Sequence, residues 1–472
     1  MPGANRTWAV TLALLALSVR LAFFVRAAPW TPACESAVIL QGDALGYHQI
    51  ATTMLANHRF ARATHGAPEA LRTPGYPAFV AICYTLAGPR PWAAILAQIG
   101  LDVLIALLVG WLVAARLGSR VGAFAALAYS LDPLAIQHAN LLLSETLFVF
   151  WIVLASVALI PALVAGPTAL SARRAFAAGA SIGAAILTRP VAVFLPLVLL
   201  PLVWGGREVR TALVMRRVAA WLLGAALLVV PWIVRNDRVF HHAEISTSGA
   251  YNLLVLQAAP VEADLRRVTV QSAVDSLLRE ADLLCIREHG RSSTDPFTQS
   301  ECWNRLALRC LRAHSLLSAK HFATGLVFSF ANVGTAGLAQ ILRIPSSGHS
   351  VRVHEARSAA ALVRDWFASK SMAQISLGLA IGAYLACTFL LLSIGACRRV
   401  GSRAFGRWEG FCVAMILYFA LVAGAVGEAR FRLPAVPFYA GFIGLGAATI
   451  IDFVRRRGPR VARSSRLDSV VG

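Results

Sequence analysis

Charge is scarce in this chain and lysine is almost absent. Only 14% of the 472 residues are Asp, Glu, Lys or Arg, and two of the 44 basic residues are Lys. With 58% hydrophobic residues and a mean hydropathy of +0.66, the chain is not a soluble domain, although its length alone would allow two or three. No Cys-x-x-Cys and no His-x-x-x-His spacing occurs, which argues against a zinc site. No basic helix with interleaved aromatics occurs either, so the net charge of +21 does not point to nucleic acid as a partner. Intrinsic disorder, a disulfide miniprotein, a coiled coil and an outer-membrane barrel are excluded together, because none of them gives continuous apolar runs separated by Arg clusters.

What is present is a series of apolar runs of about 18 to 25 residues, against the ~20 residues of helix that span ~30 Å of hydrocarbon. The fold class is therefore an all-α polytopic membrane protein with ten to twelve transmembrane helices, juxtamembrane helices in the first outward loop and a small extracytoplasmic region. Trp8 to Ala28 is the first span, too long and too Arg-interrupted for a removable signal peptide. Further spans are expected at 92–115, 121–139, 143–165, 175–189, 190–205, 217–234, 373–397, 409–426 and 434–454. With these alternating, Arg116 and Arg120, Arg173 and Arg174, Arg207 to Arg217, Arg398 to Arg407 and the tail from Arg455 to Arg466 share one side with the N-terminus. The positive-inside rule makes that side cytoplasmic, and the tail an anchor on anionic membrane lipids. The expected location is the bacterial inner membrane with an extracytoplasmic active site.

The chain then divides into a transmembrane module, 1–234, that includes outward loop 29–91. A second outward region, 235–372, has an interfacial or re-entrant helix near 321–344, and C-terminal spans at 373–454 and a basic tail at 455–472 follow. Cys34, Cys285, Cys302 and Cys310 fall in the outward loops. Cys302 and Cys310 cannot bridge within one helix, since eight residues rise about 12 Å and a disulfide needs Cα atoms within about 7 Å. Cys285 with Cys302 or Cys310 is the pair to expect.

Candidate chemistry gathers on the outward side. Asp43 and Tyr47 lie one turn apart on a short surface helix, with His48 beside them. Asp43 admits two readings, an N-cap or a general base or metal-adjacent carboxylate near the bilayer. In Arg72-Thr-Pro-Gly-Tyr76-Pro the arginine either snorkels toward headgroups or offers its five-donor fork to a phosphate. Glu145, in the first turn of its span, either favours the helix dipole or is a functional carboxylate at membrane depth. Arg189, Arg235 with Asn236, and Glu428 with Arg430 and Arg432 stand at other outward span ends, where positive-inside does not call for arginine.

In this order the segments resemble the membrane glycosyltransferases of the C-type superfold, specifically the protein O-mannosyltransferase-like and aminoarabinose-transferase-like group. The matching pieces are Asp43 with Tyr47, Arg72-x-Pro-x-Tyr76-Pro, Ser144-Glu145-x-Leu-Phe, Leu187-Thr-Arg189-Pro, Pro231-Trp-x-x-Arg235-Asn236 and Glu428-Ala-Arg430-x-Arg432-Leu-Pro434; residues 253–372 match nothing in the pattern. The resemblance implies transfer of a sugar from a polyprenyl-phosphate donor to a lipid, polysaccharide or protein acceptor. By that analogy Asp43 is the acidic residue of the first loop, a general base on the acceptor hydroxyl or a metal-positioning group, and Glu145, an ionisable group at membrane depth, is the second catalytic candidate. Arg72, Arg189, Arg235, Arg430 and Arg432 would hold the donor phosphate, and Tyr47, His48, Tyr76, Asn236 and Glu428 the substrate. No cofactor is certain, and a divalent metal cation at Asp43 is left open: many relatives carry two adjacent acids here, whereas Asp43 is followed by Ala44. The alternatives are a lipid-linked oligosaccharide polymerase or ligase, and a lipid or solute transporter. The last would show inverted repeats, and none relates 1–234 to 235–472.

Overall fold

Proline and glycine set where helices start and stop. The computed structural model describes residues 3–205, 210–289, 295–345, 364, 367–402 and 405–457. Arg207 and the part of the expected tail beyond Arg457 lie outside them. The N-terminal helix α1 (Gly3–Ala27) leads into a segment holding α2 (Asp43–Asn57) and α3 (Gly75–Ala87). Pro91 opens α4 (Pro91–Leu117), and Gly118, at φ 90°, turns the chain into α5 (Ser119–Ser130).

The run expected as one span at 121–139 is interrupted at Asp132-Pro133. Proline holds the preceding residue extended, and the Asp132 carboxylate then caps α6 (Pro133–Ala139) by accepting from the N–H groups of Leu134 and Ala135. The next helices are α7 (Glu145–Val164), α8 (Ala172–Thr188), α9 (Leu195–Trp204) and α10 (Thr211–Phe240). At the crossing of α8 and α10 a Cβ on Gly179 would fall 2.0 Å from the Trp221 carbonyl, so small residues let the two backbones touch.

Three helices, α11 (Ala259–Arg266), α12 (Val270–His289) and α13 (Pro296–Ala313), form a cap with its own core, which includes Leu254, Ala273, Leu277 and Leu306. Cys285 and Cys302 join α12 to α13 through a disulfide with a Cα separation of 5.9 Å. Cys310, on the same helix as Cys302, is a free thiol beside Glu262, and burial first, then that carboxylate, pushes its pKa up to about 11. The bridge closes a short loop, so Cys285→Ser is expected to cost the cap about 3 kcal/mol, measured by unfolding with and without reductant.

The stretch expected to be interfacial or re-entrant is a bent pair, α14 (Ser315–Ala331) and α15 (Thr335–Ile341), 40° apart. The chain ends with α16 (Met372–Gly401), α17 (Arg407–Ala423) and α18 (Val436–Arg457). Among the described residues seven helices are long and apolar enough to cross a membrane, or eight with the bent pair as one span. The higher sequence count includes 121–139, 175–189 and 190–205, which fold as shorter or interrupted helices.

The two ends of the bundle differ in chemistry. At one end arginines pair structurally: Arg399 with the buried Glu409, Arg120 with Asp452 at 2.6 Å, and Arg398 donating to Thr449 at 2.7 Å. At the other end lie the junctions α7–α6, α8–α9 and α17–α18, together with the segment that carries α2. Between the ends, Arg20 of α1 and Asp102 of α4 form a fully buried pair at 2.6 Å. Asp102 also accepts from the Tyr129 hydroxyl, and Arg20 donates to the Ser130 carbonyl.

Candidate active site

The candidate site begins with a backbone device. Gly42 sits at φ 54°, ψ −120°, a conformation that L side chains avoid, and there it turns the chain into α2. Gly42 is itself the N-cap, so Asp43 is the first residue of the helix and its carboxylate is not spent on capping. Half-exposed, Asp43 faces two guanidinium groups, with Oδ1 2.8 Å from Nη2 of Arg72 and Oδ2 3.7 Å from Nη1 of Arg430. Arg430 in turn has Nε 3.0 Å from the exposed Glu428. Segments far apart in sequence therefore meet at one carboxylate.

Arg72 is held by its surroundings. Its guanidinium lies over the Tyr47 ring, 5.1 Å from the centroid, and packs against Gly46, where an added Cβ would come within 3.1 Å of Cζ. Its backbone N–H and that of Leu71 point at one oxygen of Glu69, whose other oxygen accepts from Arg62 at 2.6 Å. Glu69 was not singled out from the sequence; an acid three residues before Arg72 is the signal that was there to read. A bulky residue at position 46 should push Arg72 off Asp43. Gly46→Leu is expected to cost about 1 to 3 kcal/mol through overpacking against Arg72, and Gly46→Ala less, measured by thermal unfolding.

A second carboxylate–guanidinium pair lies beside the first. Ser144 is the N-cap of α7 but makes no capping hydrogen bond. Its hydroxyl instead accepts from Arg189 at 3.1 Å and lies 3.4 Å from the Tyr47 hydroxyl. Arg189 pairs with Glu145 at 2.6 Å, and Glu145 is buried with its Oε2 without a hydrogen-bond partner. The chain Glu428, Arg430, Asp43, Arg72, Tyr47, Ser144, Arg189, Glu145 is thus continuous. Burial pushes the Tyr47 phenol up, with Arg189 acting against it, so Tyr47 stays protonated and serves as a neutral donor.

Other candidates are placed elsewhere. Arg432 is buried and donates to the carbonyls of Ser329, Phe330 and Asn332, capping the bend between α14 and α15; the structure does not bring it to Asp43. Arg235 lies over Phe60, Trp232 and Phe240 and donates to the Glu69 carbonyl, so it clamps the Arg72-bearing segment onto α10. Asn236 is fully buried and donates to the carbonyls of Glu244 and Ile245. Tyr76 is fully buried, bonded to Gln98, with its ring edge-on to Tyr47. His48 turns away from Asp43 to the Tyr84 hydroxyl at 2.9 Å, and burial lowers its pKa. Of these, Tyr76 and Arg235 back the site, through the Tyr47 ring and the Glu69 carbonyl.

Among the described residues no group of three or more His, Cys, Asp or Glu gathers to hold a metal ion. Asp43, with a guanidinium facing each oxygen, is a poor first ligand for a divalent cation, so the donor set does not fit one. An apolar groove of about 530 Å³ runs between α14 and α16, lined by Leu326, Val327, Phe330, Leu385 and Phe389 among others. It reaches the end of α14, where Asn332 donates to the Gly427 carbonyl next to Glu428.

No family model and no curated protein matches the chain. Solved structures do. The oligosaccharyltransferase AglB from Archaeoglobus fulgidus, in complex with an inhibitory peptide and a dolichol-phosphate, aligns with 96% of this chain and 51% of its own at 15% identity and a TM-score of 0.53. An Archaeoglobus fulgidus oligosaccharyltransferase in the apo form aligns at 14% identity and a TM-score of 0.54, again over 96% of this chain and 51% of the other. ArnT from Cupriavidus metallidurans, bound to undecaprenyl phosphate, aligns at 17% identity over 95% and 80% with a TM-score of 0.41. The chain spans about half the length of the archaeal enzyme. At such identities the likeness is one of fold, and the fold is the one that the resemblance in the motifs implies.

Proposed function

We propose that this protein is a glycosyltransferase that moves a sugar from a polyprenyl-phosphate carrier to an acceptor hydroxyl, with inversion at the anomeric carbon. The observation that carries the reading is Asp43, a half-exposed carboxylate flanked by Arg72 and Arg430 at the end of the bundle away from the paired arginines. In the proposed reaction Asp43 takes the proton of the acceptor hydroxyl as its oxygen bonds to the anomeric carbon. The bond from that carbon to the carrier phosphate breaks, and the phosphate leaves with the electron pair. Arg72 and Arg430 stabilise the charge that grows on the leaving phosphate, as fixed donors in a partly dry site do better than water.

Arg189, tied to the buried Glu145 and to Ser144, supplies a third positive group and fixes Tyr47 in place. The groove between α14 and α16 is where the isoprenoid chain would lie, with its phosphate end toward Arg430. The dolichol-phosphate seen in the archaeal neighbour supports a carrier of this kind. We read the arginine-paired end as cytoplasmic, and on that reading the site faces the extracytoplasmic side of a bacterial inner membrane. Inversion follows from direct attack. A retaining path needs a second carboxylate about 5 to 5.5 Å from the first, and Glu145 is engaged with Arg189.

The test is incubation of the purified protein with a panel of radiolabelled polyprenyl-phosphate sugars and membrane-derived acceptors. Consumption of one donor, with transfer to an acceptor, supports the reading. Consumption of none across hexosyl and pentosyl donors contradicts it.

A further inference from the structure

The same arginines are asked to serve two anions. Asp43 has one guanidinium 2.8 Å from Oδ1 and another 3.7 Å from Oδ2, so each of its oxygens faces a positive charge. Those two guanidinium groups are also the ones the proposed reaction assigns to the carrier phosphate, and this step rests on that reading. We propose that the carrier phosphate takes Arg72 and Arg430 from Asp43, so that donor binding itself uncovers the base and must precede activation of the acceptor.

Three observations favour exchange at this pair. Asp43 is 49% exposed, so water solvates its carboxylate as soon as the arginines leave. Arg72 has spare donors: Nη2 goes to Asp43, while its buried Nε has no hydrogen-bond partner. A phosphate accepts two parallel N–H bonds from one guanidinium, a stronger arrangement than the single contact Asp43 makes with Arg72. The neighbouring pair behaves oppositely. Glu145 is 3% exposed, and loss of Arg189 would strand a buried charge, so that pair is fixed while the Asp43 pairs are exchangeable. The site therefore holds one permanent and one exchangeable carboxylate–arginine unit, joined through Tyr47 and Ser144.

An ordered reaction of this type protects the donor, since the base is masked until the phosphate is seated. It also sets the sign of a binding experiment. With undecaprenyl phosphate in detergent micelles as the probe, Asp43→Asn is expected to bind about two- to fivefold more tightly than wild type, the scale of one exposed ion pair removed from competition. Asp43→Ala, measured in parallel and checked for folding by thermal unfolding, should show the same gain. Equal or weaker binding by both variants, with wild-type protein still transferring sugar, overturns the exchange and leaves the glycosyltransferase reading standing. If wild-type protein neither binds the probe nor consumes any polyprenyl-phosphate sugar, the reading itself fails and the exchange falls with it.

Discussion

Asp43→Asn is expected to lower sugar transfer by about two to four orders of magnitude, the range that a positioned general base contributes. The substitution keeps the shape of the side chain and one contact oxygen but removes the proton acceptor. Because Gly42 is the N-cap and Asp43 makes no capping bond, α2 should form as before. Thermal unfolding should therefore match wild type while initial rates fall. A fall in stability equal to that caused by loss of a cap, with rates otherwise intact, would return Asp43 to a structural role. Arg72→Ala should also impair transfer, but through donor affinity first, since Arg72 faces the carboxylate and the expected phosphate rather than the acceptor.

The largest expected effect on stability lies away from the site. Arg20 and Asp102 are buried to 0% and 1% exposure, and their ion pair joins α1 to α4 inside the bundle. Asp102→Ala leaves the Arg20 guanidinium without its counter-charge in an apolar interior, and Arg20→Leu strands the carboxylate together with its Tyr129 hydrogen bond. Each single change should cost about 3 to 5 kcal/mol. The double variant, Arg20→Leu with Asp102→Ala, should lose less than the sum of the two, because no buried charge is left without its partner. Unfolding in detergent across this cycle measures the coupling directly, and additive losses would show that the two charges do not stabilise each other.

Long apolar runs such as Pro91–Leu117 and Met372–Gly401 became helices because nothing inside them breaks the hydrogen-bond ladder. The run 121–139 did not, since Asp132-Pro133 supplies both a break and a cap in an otherwise apolar stretch. At the site, Asp43, Arg72 and Arg430 were legible as charges at span ends where topology did not require them. Their convergence was not legible, because it depends on how segments 29 and more than 350 residues apart pack.

Arg430 and Arg432 illustrate the limit. Both stand in Glu-Ala-Arg-Phe-Arg-Leu-Pro and look equivalent in sequence, yet the segment Ala429–Ala435 is a 3-10 helix. With about three residues per turn, positions two apart point in different directions. Arg430 accordingly meets Asp43, while Arg432 caps the carbonyls at the end of α14. Arg235 and Asn236 meet a related limit: a polar pair at a span end fits a ligand or a clamp equally well, and the contacts with Phe60 and Glu69 favour the clamp. Arg20 and Asp102 carried a signal that was passed over, an ionisable residue in the middle of each of two apolar spans.

The central claim is that a carboxylate between two arginines receives an isoprenoid-borne phosphate at one end of this bundle. A structure of the protein determined by electron cryomicroscopy in nanodiscs with undecaprenyl phosphate tests it most directly. The phosphate is expected within hydrogen-bond distance of Arg72 and Arg430, the Asp43 carboxylate no longer paired with either, and the isoprenoid chain in the groove between α14 and α16. A phosphate bound elsewhere, with both Asp43 contacts intact, would contradict it.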